Sequence, residues 1–384
     1  MRELEIILNA YEEMKSKGLG CVLATVVHVE GSSYRQAGAR MLVNENGEMT
    51  GAISGGCLEG DALKKALLAL EQGNNKLVTY DTSDEDDAVV GAQLGCNGII
   101  QVLFEPIRFD QPNNPVELIR KVINTHETKV IITLFNLQKN RHQPGTKMLL
   151  DQKMNIIGDI EDIDYLNAIR ADANIAFSRS TSLFKEYHVF GEIHHAFIEL
   201  SPPSPTLVLV GAGNDAQVLA QLATISGWKV TVTDGRSTHA NSQRFHSSCQ
   251  VIVSEPERIL NNIRIDHRTA FILMTHNYQY DISVLRLLLL QPDIPYIGIL
   301  GPKKKYQRML DELQNQGVQI SQEQTTKIYA PIGLDLGAET PAEIGLSILS
   351  EVLAVLNNKK GEHLRERIRP IHDKTNYAFK VEHI

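Results

Sequence analysis

No apolar run in this sequence approaches the length that crosses a bilayer; the longest candidates, such as Leu287 to Leu290, are short and flanked by polar residues. The opening Met1-Arg2-Glu3-Leu4-Glu5 carries acids and no cleavable apolar stretch, so a cytoplasmic location and no membrane partner are expected. Cysteine is scarce. Four residues, at 21, 57, 96 and 249, are too scattered for a disulfide framework and fit a reducing compartment. No close C-x-x-C or H-x-x-x-H pair accompanies Cys57 or Cys96, which excludes a convincing zinc site of the usual spacing. Positive charge is also short. A net charge of −8 argues against a nucleic-acid partner held by phosphate attraction, so small anions must be met by local donors.

With 384 residues, 42% of them hydrophobic, the chain is long enough for two or three domains, each with its own core. Cys21 to Val29 alternates as a strand, Gly31-Ser32-Ser33 breaks it, and Ala39 to Val43 with Met49 to Ile53 reads as a hairpin closed at Asn44-Glu45-Asn46-Gly47. Next come Ser54-Gly55-Gly56-Cys57-Leu58-Glu59 and a helical pattern through Leu63, Ala66, Leu67 and Leu70. The glycines turn the backbone tightly, and Cys57 falls near a helix N-terminus, where partial positive charge favours a thiolate. The alternative is a small buried residue in a turn. Ile99 to Phe104 is a further strand, preceded by Gly95-Cys96-Asn97-Gly98 and a second thiol; two distant thiols can still meet in a fold. The acidic run Asp81 to Asp87 reads as a solvated loop. Arg35 and Arg40 flank Gly38 and supply either an anion-binding rim or merely an exposed hairpin surface.

This hairpin has an echo. Gln36-Ala37-Gly38-Ala39-Arg40-Met41-Leu42-Val43 aligns with Gln143-Pro144-Gly145-Thr146-Lys147-Met148-Leu149-Leu150, and Gly51-Ala52-Ile53 with Gly158-Asp159-Ile160. Where the first copy has its thiol turn, the second has Glu161-Asp162-Ile163-Asp164-Tyr165. The first copy is therefore expected to carry the chemistry and the second to act as scaffold.

Ser201-Pro202-Pro203-Ser204-Pro205 is read as a stiff linker. After it, Leu207 to Val210 forms a buried-type strand, Gly211, Gly213 and Ala216 match G-x-G-x-x-A, and Asp234 ends the next strand, where a ribose-binding acid belongs. Arg236 nearby suits a 2′-phosphate instead. Strands near Val251, at Ala270 to Met274 and at Tyr296 to Leu300 alternate with helices, which predicts a doubly wound parallel sheet. His276 follows a strand and lies at its carboxyl edge, as ligand donor, as acid or base, or as a plain loop residue. Gly301-Pro302-Lys303-Lys304-Lys305 is either a phosphate turn or a solvated basic one. In the loop from Pro331 to Pro341, Thr340 and Pro341 read as N-cap and first helical residue, while Asp335 and Glu339 orient a ligand or shape the turn. The expected architecture is α/β: residues 1–112 a strand-rich α+β domain, 113–200 a degenerate repeat, 201–205 the linker, and 206–384 a Rossmann-like domain.

The chain resembles the XdhC/CoxI family, accessory factors that mature xanthine dehydrogenase and related molybdenum hydroxylases. The resemblance rests on Gly31-Ser32-Ser33-Tyr34-Arg35, Gly38-Ala39-Arg40-Met41, Ser54-Gly55-Gly56-Cys57-Leu58-Glu59, Gly95-Cys96-Asn97-Gly98, the dinucleotide fingerprint, and Pro331-Ile332-Gly333-Leu334-Asp335 with Gly337-Ala338-Glu339. The family pattern usually has Gly-Cys-Gly-Gly at the second thiol, and Asn97 departs from it. The resemblance implies a molybdenum cofactor (molybdopterin) chaperone that protects the cofactor during sulfuration, with a cysteine desulfurase as a partner, and delivers it to an apo xanthine dehydrogenase-type enzyme. It also implies a homodimer. Cofactor contacts would come from Arg35, Arg40, Ser54, Gly55, Gly56, Cys57, Glu59, Cys96, Gly211, Gly213, Ala216, Asp234, His276, Asp335 and Glu339, with Cys57 and Cys96 as metal ligands. Two other readings stand beside it: an NAD(P)-dependent oxidoreductase using His276, and a redox sensor using the two thiols.

Overall fold

A computed structural model describes residues 2–81, 98–138, 141–189, 191–366, 368 and 380–383. By its internal contacts the chain divides into an N-terminal unit running to Pro203, which the chain rejoins after Glu366, and a C-terminal unit, Ser204–Glu366.

The N-terminal unit is built twice. Its first half runs α1 (Arg2–Lys17), β1 (Cys21–Gly31), β2 (Arg40–Asn44), β3 (Met49–Gly51), α2 (Glu59–Gln72), β4 (Lys76–Asp81) and β5 (Gly98–Pro106). The second runs α3 (Pro115–Ile123), β6 (Lys129–Phe135), β7 (Gly145–Asp151), β8 (Ile156–Gly158), α4 (Ile163–Arg179), β9 (Leu183–Val189) and β10 (Glu192–Ser201). The sheets order as β3-β2-β1-β5-β4 and β8-β7-β6-β10-β9, the same antiparallel topology, so the duplication extends well beyond the hairpin. Register agrees residue for residue: Met41 opposes Gly51, as Met148 opposes Gly158. Both glycines have positive φ, and a Cβ on either would strike the backbone of the neighbouring strand.

In each half one helix covers the outer face of its sheet. Ala62, Ala66 and Ala69 of α2 pack on Val22, Ala24 and Val102; Ile169, Ala173 and Ala176 of α4 pack on Val130, Ile132 and Ile198. The small alanines let the helix approach closely, and the β-branched strand residues fill the pleat. The inner faces meet through Val27, Leu103, Phe135, Phe184 and Phe197, while α1 and α3 close another part of that junction. Two carboxylates reach across it reciprocally. Glu199 of β10 takes both terminal guanidinium nitrogens of Arg40, and Glu105 of β5 accepts from the amide and hydroxyl of Thr146 at 2.6 and 2.9 Å. Gly38 and Gly145, equivalent in the echo, leave room for them: a Cβ there would stand 3.0 Å from Glu199 and 2.5 Å from Glu105.

The C-terminal unit contains β11 (Thr206–Val210), α5 (Asn214–Ile225), β12 (Lys229–Asp234), β13 (Gln250–Val253), β14 (Thr269–Leu273), α6 (Tyr278–Leu288), β15 (Tyr296–Ile299), α7 (Lys303–Asn315), α8 (Gln322–Thr326), β16 (Ile328–Tyr329) and α9 (Pro341–Leu356). All its strand pairings are parallel, in the order β13-β12-β11-β14-β15-β16, the doubly wound arrangement that the alternating pattern predicts. Two cores flank the sheet, and β11 is buried along its full length because its side chains alternate between them. A last strand, β17 (Lys380–His383), pairs parallel with β9 in the N-terminal unit.

Ser201 is the last residue of β10, and the boundary between the two units falls inside the proline-rich segment, after Pro203, with Pro203, Ser204 and Pro205 buried. The acidic run needs one correction. Asp81 belongs to β4, and the rest of the acidic run lies outside the described residues. Among the described residues no helix is long and apolar enough to cross a membrane.

Candidate functional site

Ser54 organises the thiol turn. Its buried hydroxyl donates to the Glu59 carboxylate and accepts from the amides of Gly56 and Leu58 at 3.2 and 3.1 Å. The Ser54 amide adds a bond to Glu59 at 2.8 Å. This closed ring does the capping that Leu58, the residue in the N-cap position of α2, has no side chain to do. Burial opposes ionisation of Glu59, but the bonds from Ser54 and from neighbouring backbone amides outweigh it and hold the carboxyl below its ordinary range. Ser54 and Glu59 are thus the frame of the turn.

Gly55, Gly56 and Cys57 are pushed outward by that frame and are exposed. The amides of Gly55 and Cys57 make no hydrogen bond among the described residues, which leaves two donors beside a free thiol. Gly56 needs glycine for its backbone, at φ 110°. At Gly55 a Cβ would stand 3.2 Å from the ring of Tyr34, which lies against it and is 72% exposed. The helix end near Cys57 is present, as the spacing predicts, but the first turn of α2 carries Glu59 and Asp61, so its partial positive charge is shared with two carboxylates.

The arginine rim divides. Arg35, on the Tyr34 loop, pairs with Glu3 at 3.0 Å and stays half-buried. Arg40 is not an exposed hairpin residue but 3% exposed, its guanidinium held inside the unit by Glu199 and by the Gly38 carbonyl. Burial works against its charge, and Glu199 with Glu105 more than restores it. Its partner lies 159 residues away, which no local pattern reveals. Cys96, with Gly95 and Asn97, lies outside the described residues. Among the described residues no group of three or more His, Cys, Asp or Glu is placed to hold a metal ion.

In the C-terminal unit the expected residues lie along the carboxyl edge of the parallel strands. Gly211 has φ 117°, and a Cβ would stand 2.7 Å from the Met274 carbonyl oxygen, so it permits both the turn and the close approach of β14. Gly213, at the N-cap of α5, has open space where its Cβ would be, and Ala216 is buried under the helix. Asp234 is committed: it accepts from the Ala212 amide at 2.9 Å and from the Arg236 amide, Nε and terminal nitrogen at 2.9, 2.9 and 2.7 Å. Burial pushes its carboxyl up, but Arg236 and the two amides prevail and hold it at about 2. A ribose would have to displace Arg236 to reach it.

Arg244, which nothing in the fingerprint spacing marks, donates to the Ala212 carbonyl at 2.7 Å and to the Asn214 side chain at 3.0 Å, bracing the glycine loop. His276 is exposed and makes no hydrogen bond among the described residues. Beside it, Asp281 is fully buried and takes Lys305 at 2.7 Å and Thr275 at 2.5 Å, so Lys305 is unavailable to a phosphate while Lys303 and Lys304 are exposed. Asp335 and Glu339 are exposed on the loop before α9. That loop is pinned by Glu351, which accepts from Tyr296 at 2.5 Å and the Gly333 amide at 2.8 Å, and Thr340 caps α9 in a reciprocal box with Glu343.

Comparison with known proteins follows the same division. Residues 14–81 match the XdhC and CoxI family, and residues 207–352 match the XdhC Rossmann domain. A Bacillus subtilis protein described as a probable subunit of xanthine dehydrogenase is 32% identical over 350 residues, 91% of this chain and 95% of its own. The molybdenum cofactor insertion chaperone PaoD of Escherichia coli is 26% identical over 349 residues, 91% of this chain and 87% of its own. The crystal structure of a xanthine dehydrogenase from Bacillus halodurans superposes with a TM-score of 0.73 at 28% identity, covering 92% of this chain and 96% of that one.

Proposed function

This chain belongs to the XdhC and CoxI family, and from that premise we propose that it is an accessory factor that binds the molybdenum cofactor and hands it to a xanthine dehydrogenase-type molybdenum hydroxylase. The observation that carries the reading is the exposed Cys57 on a turn with two uncommitted amides, a feature the otherwise matching second half lacks. The residues suit the cargo. Molybdenum is thiophilic, and a cysteine sulfur offers it a ligand. The open amides of Gly55 and Cys57 suit anionic oxygens of the cofactor, as backbone nests do. Ser54 and Glu59 hold the turn, and Arg35, which follows Tyr34 in the chain, is paired with Glu3.

Cofactor sulfuration with a cysteine desulfurase as partner, transfer to the apo-enzyme, a cytoplasmic location and a homodimer belong to this same proposal. The glycine loop at Gly211 and Gly213 is proposed to take either NAD or the phosphate-bearing part of the cofactor, with Arg236 moving off Asp234. The deciding experiment is equilibrium binding of anaerobically prepared molybdenum cofactor to the parent protein and to Cys57→Ala, with NAD titrated separately. Retention by the parent and loss by the folded variant are expected. Equal retention by both would remove Cys57 from the role, and NAD binding without cofactor binding would favour an NAD(P)-dependent oxidoreductase.

A further inference from the structure

We infer that Tyr34 is a stacking platform for the flat heteroaromatic ring of the bound cofactor, an inference that rests on the proposed binding at the Cys57 turn. Three observations converge on it. Tyr34 is the one aromatic among the strongly exposed large hydrophobic side chains of the described residues, and it makes no hydrogen bond or ring contact among them. One side of its ring is nevertheless seated: Cγ and Cδ1 stand 3.2 Å from the point where a Cβ on Gly55 would be. Gly55 does not have a positive φ, so the Tyr34 ring, and not backbone conformation, is what a side chain there would meet. An aromatic ring that lies against Gly55 and is 72% exposed offers apolar surface to a planar ligand at small entropic cost.

The duplication supplies the control. In the echo, Tyr34 aligns with Arg141, Gly55 with Asp162, and the Cys57 position with Asp164, while Gly38, Met41 and Gly51 keep identical partners in Gly145, Met148 and Gly158. The hairpin positions that set register and leave room for the opposing acid persist in both copies, whereas the whole turn changes, its frame Ser54 and Glu59 becoming Glu161 and Leu166. Tyrosine, its glycine seat and the thiol are missing together from the second, as a shared ligand-facing role would require. Cys57 then holds the metal end, and Tyr34, seated on Gly55 two residues before the thiol, meets the ring system.

The test uses the full chain and a metal-free pterin, pterin-6-carboxylate, whose binding is followed by its own fluorescence. Stacking on an aromatic side chain is a sizeable share of single-ring affinity, so Tyr34→Ala should weaken binding roughly five- to hundredfold. Tyr34→Phe, which keeps the ring, should stay within about twofold of the parent by the same reasoning. No pterin binding by the parent, equal binding by Tyr34→Ala, or a Tyr34→Phe as weak as Tyr34→Ala would overturn the inference. Complete molybdenum cofactor titrated in parallel reports separately on the Cys57 reading, because that arm depends on the metal and the pterin arm does not.

Discussion

Ser54 spends one buried hydroxyl on three partners, and it connects chemistry to stability at a single atom. Ser54→Ala strands two amides and one carboxylate oxygen, and should cost about 1–3 kcal/mol. A shift of the urea midpoint with an unchanged slope would register it; a variant as stable as the parent would deny the ring its part in the fold. Asp234 allows a test by pH. Its folded pKa is depressed to about 2 from an ordinary value of 3.8, so its bonds stabilise fully above pH 4 or so and are lost as pH falls through about 2. The stability difference between the parent and Asp234→Asn should therefore be constant at neutral pH and shrink between about pH 4 and pH 2. A gap that stays level over that window would mean that Arg236 does not hold the acid. In both cases the sequence names the residue but not its employment, because a hydroxyl or carboxylate at a turn looks the same whether it faces a ligand or the backbone.

At the level of elements, legibility followed the range of the interactions. The C-terminal sheet was readable because strand, glycine turn, helix and acid succeed one another within about 25 residues, and each signal is local. The cap of α9 was readable for the same reason. The hairpin echo exposed a duplication, but α3, α4, β9 and β10 carry no equally plain signal. In β9, Lys185 sits buried mid-strand, where its charge is answered by Asp172 from α4 at 2.6 Å, and Tyr187 donates to the same carboxylate. A lysine in that position argues against a buried strand until its distant partner is known. Arg40 misled in the same way. Replacing it by Met leaves the half-buried Glu199 without its cation and should cost about 3 kcal/mol, whereas the double variant Arg40→Met with Glu199→Leu should recover most of that loss. Urea unfolding of the three proteins decides it: a single variant within about 1 kcal/mol of the parent would show the pair to be incidental.

For the whole molecule, the two halves of the N-terminal unit share a topology and divide the labour unequally. Only the first presents a glycine turn and a thiol, while the second supplies an inner face, Phe135, Phe184 and Phe197, and the carboxylate for Arg40. A chain lacking residues 113–200 should therefore fail to form a cooperative N-terminal unit; a sharp thermal transition for that unit, matching the parent, would contradict the dependence. The reciprocal reach of Glu105 and Glu199 gives this a mechanical meaning. Each copy lodges an acid beneath the other's glycine, so neither can be removed without leaving a polar partner in the other unanswered. The twin with no thiol of its own works as a clasp: it touches no cargo, yet the half that carries the turn closes only upon it.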